Sequence, residues 1–277
     1  MVLNKIIEGA ADGPIKTLNA TWDLIFGGYH NWIAKIQYKR ELDLEAFKVT
    51  TAEKVNKIPL ENLKEPDFSI IGPALESSKF YINEKEIREL FANLVSSSMD
   101  DRKTEHLHHS FVELIKQMSP NDAIIFKFLN NKNFPLPSVR YKAVFNFSGS
   151  NIKISDAIVL NSPLDIKETE ISLINLERIG LIKIDVGNST LTKKELYNDF
   201  YLPEYMNIFI DRFEQQNYDI YHVNFDNINN FEKEILEKMY KRSMEEIFSL
   251  VPQASIDIEK GYIELTSFGK AFIECCF

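Results

Sequence analysis

Apolar residues recur along the first half of the chain at three- and four-residue intervals, the spacing that gathers side chains on one face of a helix. Ile15, Leu18, Trp22, Ile25, Tyr29, Trp32 and Ile36 form the first stripe and predict a helix over residues 15–36. Pro14 sits where a first-turn proline is tolerated, and Gly27-Gly28 marks a kink or break. A second helix is expected over 38–57, with Tyr38, Leu42, Phe47, Val55 and Ile58 inward and Pro59 as its stop. A polar connector, Pro59–Pro66, leads to a short helix after Gly72-Pro73 that carries Ala74, Leu75 and Phe80. Three helix-start signals follow: Asn83 with Glu86, Ser110 with Glu113, and Ser119-Pro120 with Asp122. Each precedes an apolar run: Ile87, Leu90, Phe91 and Leu94; Phe111, Val112, Leu114 and Ile115; Ile124, Ile125, Phe128 and Leu129.

After Asn131 the pattern changes. Val139–Phe147 alternates as a strand does, with Gly149 as punctuation. A helix from about Lys167 to Ile179 meets Gly180, a left-handed C-terminal stop, and Leu181–Val186 then reads as a strand. Leu202–Gln216 and Asn227–Leu250 are expected as helices. Ser255–Ile258 and Tyr262–Leu265 are expected as a hairpin turning through Glu259-Lys260-Gly261, before a last helix from Phe268 to Cys275. The expected class is mostly α, α+β overall: a helical bundle over residues 1–130, then a winged-helix-like mixed part over 131–277 with a helical insertion at about 193–254.

Composition agrees with a folded chain. Of 277 residues, 44% are hydrophobic and 26% charged, and 20 Phe with 11 Tyr supply a core. The two cysteines, Cys275 and Cys276, are adjacent; such neighbours rarely bridge, so a reducing cytoplasm is the expected compartment. The first residues lack the apolar stretch of a signal peptide, and no apolar run approaches the ~18 residues of a membrane span. Net charge is −9, divided as −3 over residues 1–118 and −6 over 119–277. Bulk electrostatic binding of nucleic acid is therefore disfavoured, although a local basic patch is compatible with those totals.

No motif of known chemistry is present. The chain has no dinucleotide fingerprint, phosphate loop, nucleophile elbow or His-Glu-x-x-His, so no catalytic, cofactor-binding or metal-binding residue is assigned and no cofactor is expected. His106, His108 and His109 are the nearest approach to a metal cluster. Their spacing is poor for one helix face and no cysteine accompanies them, so a solvated loop is the favoured reading. The N-terminal stripe is broad and holds both tryptophans, which leaves two readings: a helix buried on most sides, or a face for a membrane or a partner. The helix before Gly180 carries Lys167 and Arg178 against Asp165, Glu168, Glu170 and Glu177, a balance better suited to protein contact or plain solvation than to DNA phosphates. Trp22, Tyr29, Trp32, His109 and Arg178 are the candidate interaction residues.

Several blocks taken together resemble the Abi-alpha family of bacterial abortive-infection proteins. They are Ile71-Gly72-Pro73-Ala74-Leu75-Glu76, Glu89–Leu94 continuing to Ser98-Met99-Asp100, His109–Pro120, Asn175–Ile182 and Leu265–Ile273. Their order and spacing cover about residues 60–182 and again 262–275, roughly half the chain. The family block carries a Pro after its His; here Ser110 follows His109 directly. The resemblance implies a role in phage resistance and brings no catalytic residue with it. The expectation is thus a non-enzymatic defence factor, cytoplasmic or drawn to a membrane on activation. Its expected partner is a phage or host protein or a second copy of itself, with membrane contact through the N-terminal helix left open. The alternative is a winged-helix transcription regulator that binds DNA.

Overall fold

The first apolar stripe folds as expected as far as Phe26. In this computed structural model, which describes residues 12–27, 38–145, 151–216, 230–243, 245–246 and 254–277, helix α1 (Asp12–Phe26) buries Ile15, Leu18, Trp22 and Phe26. The expected continuation over 28–36, with Tyr29 and Trp32, lies outside the described residues. Helix α2 (Tyr38–Val55) turns Leu44, Phe47, Ala52 and Val55 inward, while Leu42, expected inside, faces solvent.

The helix after the connector starts earlier than expected. Asp67 accepts from the Ser69 amide and starts α3 (Phe68–Ser78), so Gly72-Pro73 lies within a helix and not before one. Proline disfavours helical backbone in its predecessor largely through that residue's Cβ, and Gly72 has none. Helix α4 (Lys85–Ser98) starts from Glu84, whose carbonyl accepts the Arg88 amide, so Asn83 does not cap it. This helix is the centre of its unit: Leu90, Phe91, Ala92, Leu94 and Val95 are all buried. Two further helices follow, α5 (Phe111–Lys116) and α6 (Pro120–Asn130). Ser119 and Asp122 form a reciprocal capping box at the start of α6, with Pro120 in its first turn, as the sequence predicts.

Among the described residues four strands form one sheet: β1 (Leu136–Phe145), β2 (Asn151–Lys153), β3 (Ile182–Val186) and β4 (Ala254–Leu265), in the order β2-β1-β4-β3. β1 is antiparallel to β2 and β4, with Ala143 opposite Ile152 and Tyr141 opposite Ile258. β4 corrects the expected hairpin, because it runs unbroken through Gly261. That glycine serves close approach, not a turn: a Cβ there would stand 2.0 Å from the Asp185 carbonyl oxygen of β3. Between β2 and β3 lies α7 (Ile166–Arg178). It ends as the sequence predicts, with Gly180 at φ 78°. The Gly180 amide donates to Glu177 and the Leu181 amide to Leu176, which together make a Schellman stop. A 3-10 stretch, Lys194–Tyr201, precedes α8 (Pro203–Gln216) and α9 (Asn230–Tyr240), and α10 (Ser267–Cys276) follows β4.

The chain forms two compact units. The first takes Met1–Asn133, Ile171–Lys183 and Leu265–Phe277; the second takes Phe134–Glu170 and Ile184–Glu264. In the first, α10 lays Phe272 edge-on against Phe111, with ring centres 5.2 Å apart, and beside Phe126 at 6.0 Å. In the second, Val139, Tyr141, Ile158, Tyr197, Phe200, Phe209 and Phe213 form the core. Tyr141 stacks on Phe209 at 3.8 Å, and its hydroxyl donates to the Phe200 carbonyl.

Candidate functional site

Trp22 is a core side chain. It is 4% exposed and packs on Phe26 and Phe47 at 4.8 and 5.2 Å. One face of α1 is thus core, while Leu24 on the other stands 75% exposed. No helix among the described residues is long and apolar enough to cross a membrane.

The three histidines lie on the surface, and His108 and His109 have different side-chain partners. His109 Nδ1 lies 3.2 Å from the Ser69 hydroxyl, which itself donates to Asp67 at 2.5 Å. The residue types are those of a hydrolytic triad, but serine occupies the middle place. Its proton points to the carboxylate, and the imidazole is left to donate to the hydroxyl oxygen, so the group is wired as a helix cap. The Ser69 bonds hold the Asp67 carboxyl below its usual range. His108 Nδ1 accepts from the Ser110 amide at 3.1 Å and stands 2.7 Å from its hydroxyl. This fixes the proton on Nε2. It also accounts for the absence of the expected Ser110 cap: that hydroxyl faces the imidazole, and Glu113 pairs with Lys116. Among the described residues no group of three His, Cys, Asp or Glu is placed to hold a metal ion.

Arg178 is exposed but tethered. Its guanidinium donates to the Asn175 side-chain oxygen at 2.7 and 2.9 Å and to that of Gln117 at 3.0 Å. Asn175 in turn donates to the Gln117 carbonyl at 2.9 Å and to Asp122, the capping carboxylate of α6, at 2.8 Å. The end of α7 is thereby locked to the junction of α5 and α6. Beside Arg178, Ile171 and Ile174 stand 59% and 44% exposed, one turn apart. Glu170, which the sequence places among the acidic surface residues of this helix, is buried instead. It accepts from Arg212 at 2.8 Å and from the Asp156 amide at 2.9 Å.

A polar cavity of about 270 Å³ opens between the end of α2, the face of α4 and the 3-10 turn Asp101–Lys103. Four cationic side chains, Lys54, Lys57, Arg102 and Lys103, line it against one carboxylate, Asp100. That carboxylate is already engaged, with the Arg102 side chain at 2.6 and 2.8 Å and its amide at 3.1 Å. Asn93, Ser97 and Lys103 cap the last turn of α10: they donate to the carbonyls of Cys276, Cys275 and Glu274 in that order. Burial raises both thiols of that turn, Cys275 to about 11, which keeps them protonated and inert. No short motif announces this cavity. Its cations come from segments some 45 residues apart, and only the proximity of like charges in the fold identifies it.

A family model described as abortive infection alpha matches residues 39–276 of the chain. No curated protein and no solved structure matches it.

Proposed function

From membership of the abortive infection alpha family, to which this chain belongs, we propose a phage-defence factor that acts through contact with a phage or host protein, without catalysis of its own. The family match carries the defence part of this reading. The contact part is supported by the end of α7, where Ile171 and Ile174 face solvent beside Glu177 and Arg178. An apolar centre with a charged rim is the composition of a protein-contact patch. A helix that reads phosphates would carry a surplus of Lys and Arg instead. The chain order α6, α7, β3, β4 follows that of a winged-helix module. In this reading α7 takes the recognition position of such a module and serves a protein surface. A cytoplasmic site of action suits the unbridged Cys275 and Cys276.

The test is a phage challenge of an expressing strain against an empty-vector strain at low and high phage dose. The expected outcome is reduced plaquing together with collapse of the culture at high dose. Unchanged plaquing across a broad phage panel would overturn the proposal.

A further inference from the structure

We propose that the cavity between α2, α4 and the Asp101–Lys103 turn is a binding site for a small soluble molecule bearing a phosphate or pyrophosphate group, held by Lys54, Lys57 and Lys103.

The charges point to an anion. The chain as a whole carries −9, yet this concave surface gathers four cations and one carboxylate that is already taken up by Arg102. Among the described residues Lys54, Lys57 and Lys103 form no ion pair. Lys103 spends one donor on the Glu274 carbonyl, and an ammonium has three. Lysines at a helix C-terminus are favoured by the macrodipole, and that accounts for one exposed lysine after α2. It does not account for half-buried Lys54, which loses hydration at a cavity it shares with Lys57 and Lys103. Burial lowers its pKa below the ordinary lysine value; Glu89 and Glu53 oppose this, and Lys57 and Lys103 add to it. Lys57 and Lys103 repel the Lys54 charge, and even with Glu89 and Glu53 as counter-charges its charged form is disfavoured. An anion bound among them would remove both the repulsion and part of the desolvation cost.

The cavity's shape and remaining lining narrow the ligand class. At about 270 Å³ the site is smaller than the pockets that enclose drug-sized ligands, ~300–1,000 Å³. Among the described residues Ile58 is its one large apolar side chain, and no aromatic ring lines it. There is thus neither a platform on which a base would stack nor an acyl-chain channel. Asn93, Ser96 and Ser97 supply the neutral polar wall. A bounded, polar, cationic hollow matches a compact phosphate better than a nucleic-acid strand or a membrane surface, both of which need an extended basic face. The site owes nothing to the protein contact proposed for α7, so either reading can fail alone.

The test is isothermal titration of the full chain with inorganic phosphate and inorganic pyrophosphate at constant ionic strength. Saturable binding is expected, tighter for pyrophosphate. The variant Lys54→Gln/Lys57→Gln keeps the side-chain stems and should weaken binding at least about tenfold, given the strength of charge-assisted hydrogen bonds. Lys57→Glu, at an exposed position with no ion-pair partner to lose among the described residues, should abolish binding without lowering the melting temperature. Lys85→Gln/Lys127→Gln, which removes two exposed charges elsewhere, should leave binding unchanged. Absence of saturation, or equal loss in the Lys85/Lys127 control, would overturn the proposal. So would phosphatidylglycerol vesicles or a single-stranded oligonucleotide binding through these lysines where pyrophosphate does not.

Discussion

Arg212 reaches Glu170 at 2.8 Å, and the pair joins two elements of the second unit where little water reaches it: the side chains are 23% and 9% exposed. The carboxylate also accepts the Asp156 amide, and the Arg212 guanidinium lies 5.0 Å from the centre of the Phe209 ring. Removing one member strands the other. Arg212→Met should therefore destabilise the protein by about 3 kcal/mol, the lower end of the range for breaking a buried pair because Arg212 retains some solvent. The double variant Arg212→Met/Glu170→Met should recover most of that loss. Urea denaturation of the four proteins measures both effects, and strict additivity would contradict the pairing.

Two glycines of the first unit should respond differently to the same substitution. Gly180 has φ 78° and open space around its absent Cβ, so Gly180→Ala costs only the left-handed backbone, about 1–2 kcal/mol. Gly269 has an ordinary φ, but a Cβ there would stand 2.0 Å from the Leu181 carbonyl oxygen, which is backbone and cannot swing aside. Gly269→Ala should cost about 3 kcal/mol or more, at the upper end for overpacking. Thermal melts of the two variants give the ranking, and a reversed order would refute this account.

Acid should weaken the turn that begins at Asp100. The Arg102 side chain is the main cause that lowers the Asp100 carboxyl below its ordinary 3.8, against the opposing effect of burial. A group depressed in the folded state contributes its full stability above the unfolded-state value and loses it as pH falls through the folded-state value. The urea midpoint should therefore fall between about pH 5 and pH 2, with Asp67 contributing in the same direction. Asp100→Asn should flatten that fall, and an unaltered acid slope would show that the pairing does not set it.

Ile171 and Ile174 lie outside the core, so replacing both with glutamine, a better helix former, should move stability by less than about 0.5 kcal/mol. If α7 meets a partner through this patch, the same variant should lose protection in the phage challenge while the melting temperature stays constant. Full protection by the variant would remove the contact surface from consideration and leave the defence role in place.

Much of the fold was legible because its signals are local. The Ser119-Pro120-Asp122 start, the Gly180 stop and the spacing of Ile15, Leu18 and Trp22 each state their own structure. Where the sequence misled, a distant group decided the outcome. Ser110 has the same spacing to its acid as Ser119, yet its hydroxyl faces His108. Gly261 could equally make a turn or admit a neighbouring backbone, and β3 settles the choice. Glu170 is indistinguishable from Glu168 or Glu177 in a helical pattern until Arg212, 42 residues on, draws it inward. The basic cavity is legible least of all, because Lys54 and Lys57 are ordinary helix-end residues until Arg102 and Lys103 are folded against them.

The bonds from Ser97 to Cys275 and from Asn93 to Cys276 span 178 and 183 positions of chain. They also order events in time. As the chain is made, α4, α5 and α6 emerge early, but the rings of Phe111 and Phe126 have no Phe272 to pack on until residues 265–277 have been synthesised. Contacts at such separation form slowly, and an apolar face that waits is open to wrong partners. The helical unit therefore cannot close before that segment is made, although most of its residues come first in the sequence. Its yield in the cell should depend on how well that face is shielded during the wait.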